Sequence, residues 1–337
     1  MITPHKDFNL KQYNTFGIDV TAALFFEVST SKELIEAIQQ IKANGIKHLI
    51  LGGGSNILFT SNYIGAIIHP AIVGIDKVTD NDDYVELRVG AGVEWDALVE
   101  HTVSMGLCGL ENLSLIPGTV GASPIQNIGA YGVEAKDAIE KVEGIYIDNL
   151  EHFSLNKQEC KFDYRDSIFK NKLKGKVVVT HVTYRLSKRC NLITHYGNLE
   201  VELEKLGGKN LQNVRQAVIN IRNTKLPDPK ELGNAGSFFK NPLVDIKLVE
   251  ELQEKYTQVP FYPVNDNMVK LPAGWLIEKS GWKGKRVGNV GVHKDQALVL
   301  VSFGNAAGQE VVELAHQIRQ SVMELFNVSL EMEVNVV

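Results

Sequence analysis

Residues 117–132 read PGTVGASPIQNIGAYG, and this stretch decides how the first half of the chain is organised. Four glycines and two prolines surround Ser123, Gln126 and Asn127. A segment this long with no helix or strand period is a working loop or a disordered one. Val120, Ile125, Ile128 and Tyr131 supply apolar anchors, which argues against disorder. Upstream, residues 52–56 read GGGSN and follow the short apolar strand expected at His48 to Leu51. Glycine has no Cβ, so such a loop can turn its backbone N–H groups onto an anion at close range. The segment is not a Walker loop, because no Gly-Lys-Ser/Thr follows. It also lacks the third glycine of a dinucleotide fingerprint and runs into Ile57, Leu58 and Phe59, not into a helix. Taken alone, it also reads as a tight strand-to-strand turn. Two such loops in one domain point to an extended ligand with a pyrophosphate, held largely by backbone, whose flat part can be an isoalloxazine ring. A purely structural role for both loops stays open on these residues alone.

Working outward, Thr30 and Glu33 have capping-box spacing, and Leu34, Ile35, Ile38 and Ile41 form one apolar helical stripe that Asn44 and Gly45 end. Residues 84–89 alternate as a strand, Trp95 to Met105 reads as a helix stopped by Gly106, and strands follow near 139–148 and 177–186. In the second half, Asn213 is expected to cap a helix reaching Lys225, ended by Pro227 and Pro229. A helix from Ile246 to Tyr256, a strand from Ala297 to Val301 and a long amphipathic helix from about Gln309 to Phe326 follow. From Val328 the tail alternates, with Val328, Leu330, Met332 and Val334 on one face and Ser329, Glu331 and Glu333 on the other, the pattern of a half-buried strand. The class expected is α+β.

With 337 residues, 44% apolar and 22% charged, the chain has the balance of a soluble globular protein of two to three domains. The net charge of −5 and the lack of a basic stripe argue against nucleic acid as a partner. The short basic run at Lys283, Lys285 and Arg286 can still serve a small phosphate-bearing ligand. No apolar run reaches the length of a membrane span, and the N-terminus lacks a signal-peptide core. Cys108, Cys160 and Cys190 are odd in number and widely spaced, so reduced thiols are expected. The histidines show no metal-ligand spacing, and no catalytic metal is expected.

The acid–base candidates are scattered. FDYRDSIFK at 162–170 sets Tyr164 and Arg165 in a polar turn, where arginine can hold a carboxylate through two parallel hydrogen bonds. GNAGSFFKNP at 233–242 holds Ser237 just past an Ala-Gly bend, with Phe238 and Phe239 to bury the segment. No G-x-S-x-G context surrounds it, so a hydrolase nucleophile is a weak reading; a buried hydroxyl beside developing negative charge can instead give up a proton. Glu331 and Glu333 share a strand face, roughly 7 Å apart by strand rise. Lys225, Asn241, Lys283 and Gln296 form a looser polar set. Each of these also has a plain structural use: a surface ion pair, a turn hydroxyl, a wet strand face.

In order along nearly the whole chain, NTFG (14–17), LGGGSNILF (51–59), GLENLSLIPGTVGASPIQNIGAYGVE (109–134), FDYRDSIFK, THYGNL (194–199), RNTKLPDP (222–229), GNAGSFFKNP, KLPAGWLIE (270–278) and LEMEV (330–334) resemble the UDP-N-acetylenolpyruvoylglucosamine reductase family. The resemblance implies a flavin-binding region of the vanillyl-alcohol-oxidase (PCMH) type followed by an α+β substrate-binding domain. The implied boundaries are 1–72 and 73–209 for two flavin-binding subdomains and 210–337 for the substrate domain, with the tail strand 328–337 returning to the active site. It implies non-covalent FAD, NADPH as co-substrate, and reduction of an enolpyruvyl group on a UDP-sugar in peptidoglycan precursor synthesis. By motif, Ser237 resembles the proton donor, and Arg165 and Glu333 the pair that polarises the substrate carboxylate. Gly52, Gly53, Gly54, Ser55, Asn56, Pro117, Gly118, Gly121, Ser123, Gln126, Asn127, Gly129, Ala130, Tyr131 and Gly132 fall on the cofactor side. Tyr164, Lys225 and Asn241 would line the substrate site. Tyr196 resembles the loop tyrosine of the longer variety of the family, and Tyr262, Lys283 and Gln296 resemble further substrate contacts. Met332 stands where relatives commonly carry proline. A bacterial cytoplasmic monomer is expected, bound to neither membrane nor nucleic acid. The competing expectations are a flavin-dependent hydroxy-acid or alcohol oxidase on the same cradle, and a nucleotide-binding module without turnover.

Overall fold

A computed structural model describes residues 1–337. The chain divides into two compact units that exchange segments: Met1–Phe8, Ala22–Gly54 and Ile64–Thr224 in the first, and Asn9–Thr21, Ser55–Tyr63 and Lys225–Val337 in the second.

The first unit is built on two sheets. In one, the strands His5–Asn9, Thr21–Val28, Tyr63–Pro70 and His48–Ile50 lie side by side in that order, and the last two run parallel. The helix Ser31–Ala43 covers this sheet, as the stripe spacing requires. Leu34, Ala37, Ile38 and Ile41 bury against Phe26, Val28, Ala66 and Ile68. Its start is the expected cap: Thr30 Oγ1 accepts from the Glu33 N–H at 3.1 Å, and Glu33 returns a bond to the N–H of Ser29 at 2.8 Å. The second sheet is antiparallel, in the order His152–Asn156, Ile139–Tyr146, Val177–Ser187, Tyr84–Gly90 and Ile75–Asp80. Val177–Ser187 is β-branched at Val177–Thr180, Val182 and Thr183, as suits the central strand, and is buried along most of its length. Trp95 opens the helix Trp95–Ser104 and is fully buried; its indole N–H donates to the Leu113 carbonyl at 2.9 Å, fixing the helix over the chain that leads into residues 117–132. The helices Leu199–Lys205 and Leu211–Lys225 pair through Leu199, Leu203, Val214, Ala217, Val218 and Ile221.

The second unit has a four-stranded sheet in the order Gly233–Ser237, Val299–Ser302, Val290–Val292 and Arg286–Val287. The helix Gly308–Phe326 buries Val311, Leu314, Ala315, Ile318, Val322 and Phe326 and ends at Asn327 in the left-handed region (φ +53°). A small three-stranded sheet orders Leu243–Asp245, Met268–Lys270 and Tyr262–Pro263, and Asp245 caps the helix Ile246–Lys255 by accepting from the Lys247 N–H.

Three local expectations are corrected. Asn213 does not cap its helix: Asn210 does, accepting from the Asn213 N–H at 2.8 Å, while the Asn213 amide donates to the carbonyls of Leu206 and Gly208. The tail keeps its alternating burial, with Val328, Leu330 and Val334 buried, but forms only the bridge Phe239↔Met332 and a short parallel pairing of Asn335–Val336 with Ile57–Leu58. Finally, Cys108 and Cys190 form a disulfide with Cα atoms 5.5 Å apart, leaving Cys160 as the unpaired, buried thiol. Sequence separation hid the pair; reciprocal backbone bonds between Cys108 and Ser187 bring the two segments together. No helix is long and apolar enough to cross a membrane.

Candidate active site

The two glycine loops of the first unit lie backbone against backbone. A Cβ on Gly53 would stand 2.8 Å from the Gly118 Cα, and one on Gly52 would stand 2.8 Å from the Thr119 hydroxyl. One on Gly121 would meet the Ala91 Cβ at 2.7 Å. No side chain fits at Gly53 or Gly121 if the loops are to close on each other, and at Gly52 the Thr119 hydroxyl would have to swing aside. Gly54 and Gly118 also adopt φ of +64° and +125°, which other residues resist. Gly52, Gly53, Gly118, Gly129 and Ala130 remain partly exposed. The result is a cradle lined largely by main-chain groups, suited to a diphosphate and to a flat ring laid along it. These residues fit FAD.

The buried polar residues of the long loop tie it to itself and to its neighbours. Ser123 is buried, bonding the Val120 carbonyl at 2.8 Å and the Tyr184 hydroxyl at 2.7 Å. Asn127, also buried and at φ +47°, donates to Glu134 and the Asp163 carbonyl and accepts from the Lys136 N–H. Arg165 reaches the same loop. Its guanidinium donates to the Gly129 carbonyl at 2.6 Å and the Asn127 carbonyl at 3.4 Å, and its own backbone is left-handed (φ +53°). The Tyr164 ring lies beside the guanidinium, 5.6 Å from its carbon. The Tyr131 and Tyr196 rings meet edge to face at 6.4 Å. Burial raises the Tyr131 phenol above its ordinary value, against the opposing pull of Arg222, so this hydroxyl stays neutral.

In the second unit, Ser237 ends the strand Gly233–Ser237, opposite Val299. The bend before it is set by Gly236 (φ +68°), whose N–H the Asn234 side chain accepts at 2.9 Å. Phe238 and Phe239 are fully buried, as expected, but Ser237 itself is exposed, where a buried hydroxyl was anticipated. The two phenylalanines anchor the segment and turn the serine outward. The tail meets this segment directly. The Glu333 N–H donates to the Phe238 carbonyl at 2.8 Å, Met332 bridges Phe239, and Lys240 pairs with Glu331. The last contact separates the two tail carboxylates: Glu331 is committed to Lys240 at the surface, and Glu333 is the more enclosed of the two. Asn56, at the end of GGGSN and in this unit, donates to the Glu333 carbonyl at 3.4 Å. Ser55 lies beside it.

Of the remaining candidates, Asn241 accepts from the Ala273 N–H and so caps the helix Ala273–Lys279. Lys283 pairs with Glu278 at 3.0 Å, and Gln296 accepts from the Leu298 N–H at 3.4 Å. Lys225 and Tyr262 are exposed. Sequence reasoning quoted NTFG without giving it a task. Buried Asn14 binds the carbonyls of Leu10 and Ile18 and the Ile18 N–H, and Thr15 then offers its carbonyl to the Asn234 N–H at 2.9 Å. A Cβ on Gly233 would strike the Phe16 carbonyl oxygen. NTFG is therefore the floor under the Ser237 strand, a role signalled by its buried asparagine only once the fold is known.

Residues 228–337 match the profile described as the UDP-N-acetylenolpyruvoylglucosamine reductase C-terminal domain, and residues 22–148 match an FAD binding domain. The chain is 49% identical over 328 residues to a UDP-N-acetylenolpyruvoylglucosamine reductase of Bacteroides fragilis, covering 97% of this chain and 98% of that one. This chain belongs to the UDP-N-acetylenolpyruvoylglucosamine reductase family. A reductase of the family from Flavobacterium johnsoniae is 46% identical, with 98% of each chain covered. The crystal structure of the Thermus caldophilus reductase superposes with a TM-score of 0.69 at 25% identity, covering 100% of this chain and 99% of that one. The fold is therefore α+β, with a flavin-binding region of the PCMH type and the C-terminal domain of the reductase family.

Proposed function

We propose that the chain reduces the enolpyruvyl double bond of UDP-N-acetyl-3-O-(1-carboxyvinyl)-glucosamine, at the expense of NADPH, to give UDP-N-acetylmuramate for peptidoglycan synthesis. The observation that carries this reading is the near-complete, in-register identity with reductases of the family. FAD, when bound, supplies the relay that takes hydride from NADPH and passes it to the alkene. The backbone of residues 52–54 and 117–132 would hold it without a covalent bond, with Ser55 and Asn56 continuing the first loop.

The chain's own side chains handle charge and protons. Hydride addition at one alkene carbon leaves an enolate-type charge spread onto the carboxylate. Arg165 would hold that carboxylate. Its guanidinium is steadied by the carbonyls of Gly129 and Asn127, so little reorganisation is needed as charge develops. Glu333, as a neutral acid, would share the task. Ser237 would deliver the proton to the carbanion carbon, and its exposed position gives the resulting alkoxide a route to recover a proton from water. Tyr164, Tyr196, Lys225, Asn241, Tyr262, Lys283 and Gln296 would bind the UDP-sugar, the lysines as point charges for phosphate. The functional division would run 1–72 and 73–209 for the flavin and 210–337 for the sugar, with the tail 328–337 serving the active site. A cytoplasmic monomer completes the reading.

The test is anaerobic stopped flow on purified holoenzyme. NADPH should bleach the flavin band, and the enolpyruvyl UDP-sugar should restore it. Oxygen uptake with hydroxy acids and no sugar-coupled NADPH oxidation would replace this reading with an oxidase. A colourless protein that binds nucleotide without turnover would replace it with a binding module.

A further inference from the structure

Asn112 is a buried polar residue of the first unit with no part in the site described above. It is 1% exposed and sits in the single turn Glu111–Leu113, ahead of the long glycine loop. Both protons of its amide are used. One goes to the carbonyl of Tyr131 and the other to the carbonyl of Ile193, each at 2.9 Å. Its own oxygen is buried and has no partner. A leucine would fill such a site without that cost, so the donors are what the position requires. The orientation is also forced, because a flipped amide would set its oxygen against two carbonyls.

The two carbonyls belong to the two loops that matter. Tyr131 closes the glycine loop in a left-handed conformation (φ +48°), and Gly132 follows at φ +82°. A Cβ on Gly132 would touch Ile193 at 3.3 Å and Tyr196 at 3.8 Å. The segment carrying Tyr196 is thus fixed at its base by the Cys108–Cys190 disulfide and further along by Asn112. We infer that Asn112 is a positioning residue, a clamp that holds the Tyr196 loop against the closing turn of the glycine loop and so sets where Tyr196 stands for substrate. This rests on the assignment of Tyr196 to the UDP-sugar.

The experiment uses FAD-loaded Asn112→Ser and Asn112→Ala with the disulfide intact. Amide exchange in residues 192–197 should quicken about tenfold or more, as expected when one or two backbone-directed hydrogen bonds are lost. The strand Val177–Ser187 should exchange as in the wild type. KM for the UDP-sugar should rise by about tenfold with kcat within about threefold, and Ser should fall between Ala and the wild type. Unchanged exchange at 192–197 would overturn the inference. So would a fall in kcat at constant KM, or failure of both variants to fold, since either makes Asn112 an ordinary core residue. Tyr196→Ala separates the two claims. If it leaves KM unchanged while the Asn112 variants still loosen 192–197, the Tyr196 assignment fails and the clamp stands.

Discussion

Replacing Gly53 by alanine tests the flavin cradle through a single methyl group. The added Cβ would stand 2.8 Å from the Gly118 Cα and 3.2 Å from its carbonyl carbon, where ordinary contact begins near 3.4 Å. The obstacle is backbone, so no side chain can swing aside, and the loops must separate by at least the 0.6 Å difference between 2.8 and 3.4 Å. Overpacking of this kind costs about 1–3 kcal/mol of stability. The larger effect is on the ligand. Hydrogen bonds to a charged phosphate are worth about 1.5–3 kcal/mol each, and misplacing two of them weakens FAD by roughly a hundredfold or more. The assay is the flavin-to-protein absorbance ratio after gel filtration, with melting followed in the presence and absence of added FAD. Gly45→Ala is the control. Its φ of +60° makes alanine strained, but nothing lies within 4 Å of the new methyl. It should lower the melting temperature through a strain cost of about 1 kcal/mol and leave flavin content unchanged. Full flavin content and an FAD affinity within about threefold of wild type in Gly53→Ala would refute the cradle.

Ser237→Ala should keep its FAD and show normal bleaching with NADPH, while recovery of the band with the UDP-sugar slows by about 10²–10⁴-fold; undiminished turnover would remove Ser237 from the chemistry. Asp96 should add an acid-sensitive component to stability. Burial would raise its carboxyl, but Arg215, bonded at 2.7 and 3.0 Å, and the Leu115 N–H at 2.6 Å overcome that and hold it below the usual value. A depressed folded-state value stabilises above the unfolded carboxylate range, near pH 4, and that stability fades as pH falls through the folded value. The loss of stability below pH 4 should therefore be shallower in Asp96→Asn, itself about 1–3 kcal/mol less stable at pH 7; identical acid limbs would show the pair to be inert. Cys160, its thiol pushed up to about 12 by burial with Glu159 adding to the shift, should resist alkylation at pH 8 until the chain unfolds, which mass spectrometry of iodoacetamide-treated protein would check.

Much of the fold was legible because its elements carry their own signals. The helix Ser31–Ala43 had a cap, a stripe and a stop, and the structure uses all three. Val177–Ser187 falls where a strand was expected at 177–186, opening on Val177, Val178, Val179 and Thr180. What failed was whatever depends on the path of the chain and not on local composition. Asn210 and Asn213 are both acceptable caps by composition, and only the path of the chain between the helices decides which one turns inward. The tail alternates like a strand, but beyond Met332 its neighbour is the two-residue stretch Ile57–Leu58, too short to extend a ladder. Cys108 and Cys190 lie 82 residues apart, and nothing local announces that a strand end will bring them together.

The candidate site was legible in a different way, through ordered motifs whose individual residues say little. GNAGSFFKNP shows why. The residues that look chemical are few, and the others hold them. Asn234 fixes the Gly236 turn, Phe238 and Phe239 sink the strand, and Asn14 with Thr15 supports it from beneath. The tail adds Glu333 by bonding to the carbonyl of the residue next to Ser237. The glycine loop is built alike, with Ser123 spent on the Val120 carbonyl, Asn127 on the Asp163 carbonyl and the Lys136 N–H, and Asn112 on the seam to Tyr196. A polar residue that touches only backbone leaves no chemical signature in sequence, because any small polar side chain reads as a turn. In the proposed reaction its effect is the placement on which proton delivery would depend, since a hydroxyl as weakly acidic as serine can act only where its distance to the carbanion is held short. Asn14→Ala and Asn234→Ala, which loosen the support of the Ser237 strand, should therefore slow recovery of the flavin band by the UDP-sugar, and unchanged rates in stopped flow would refute this.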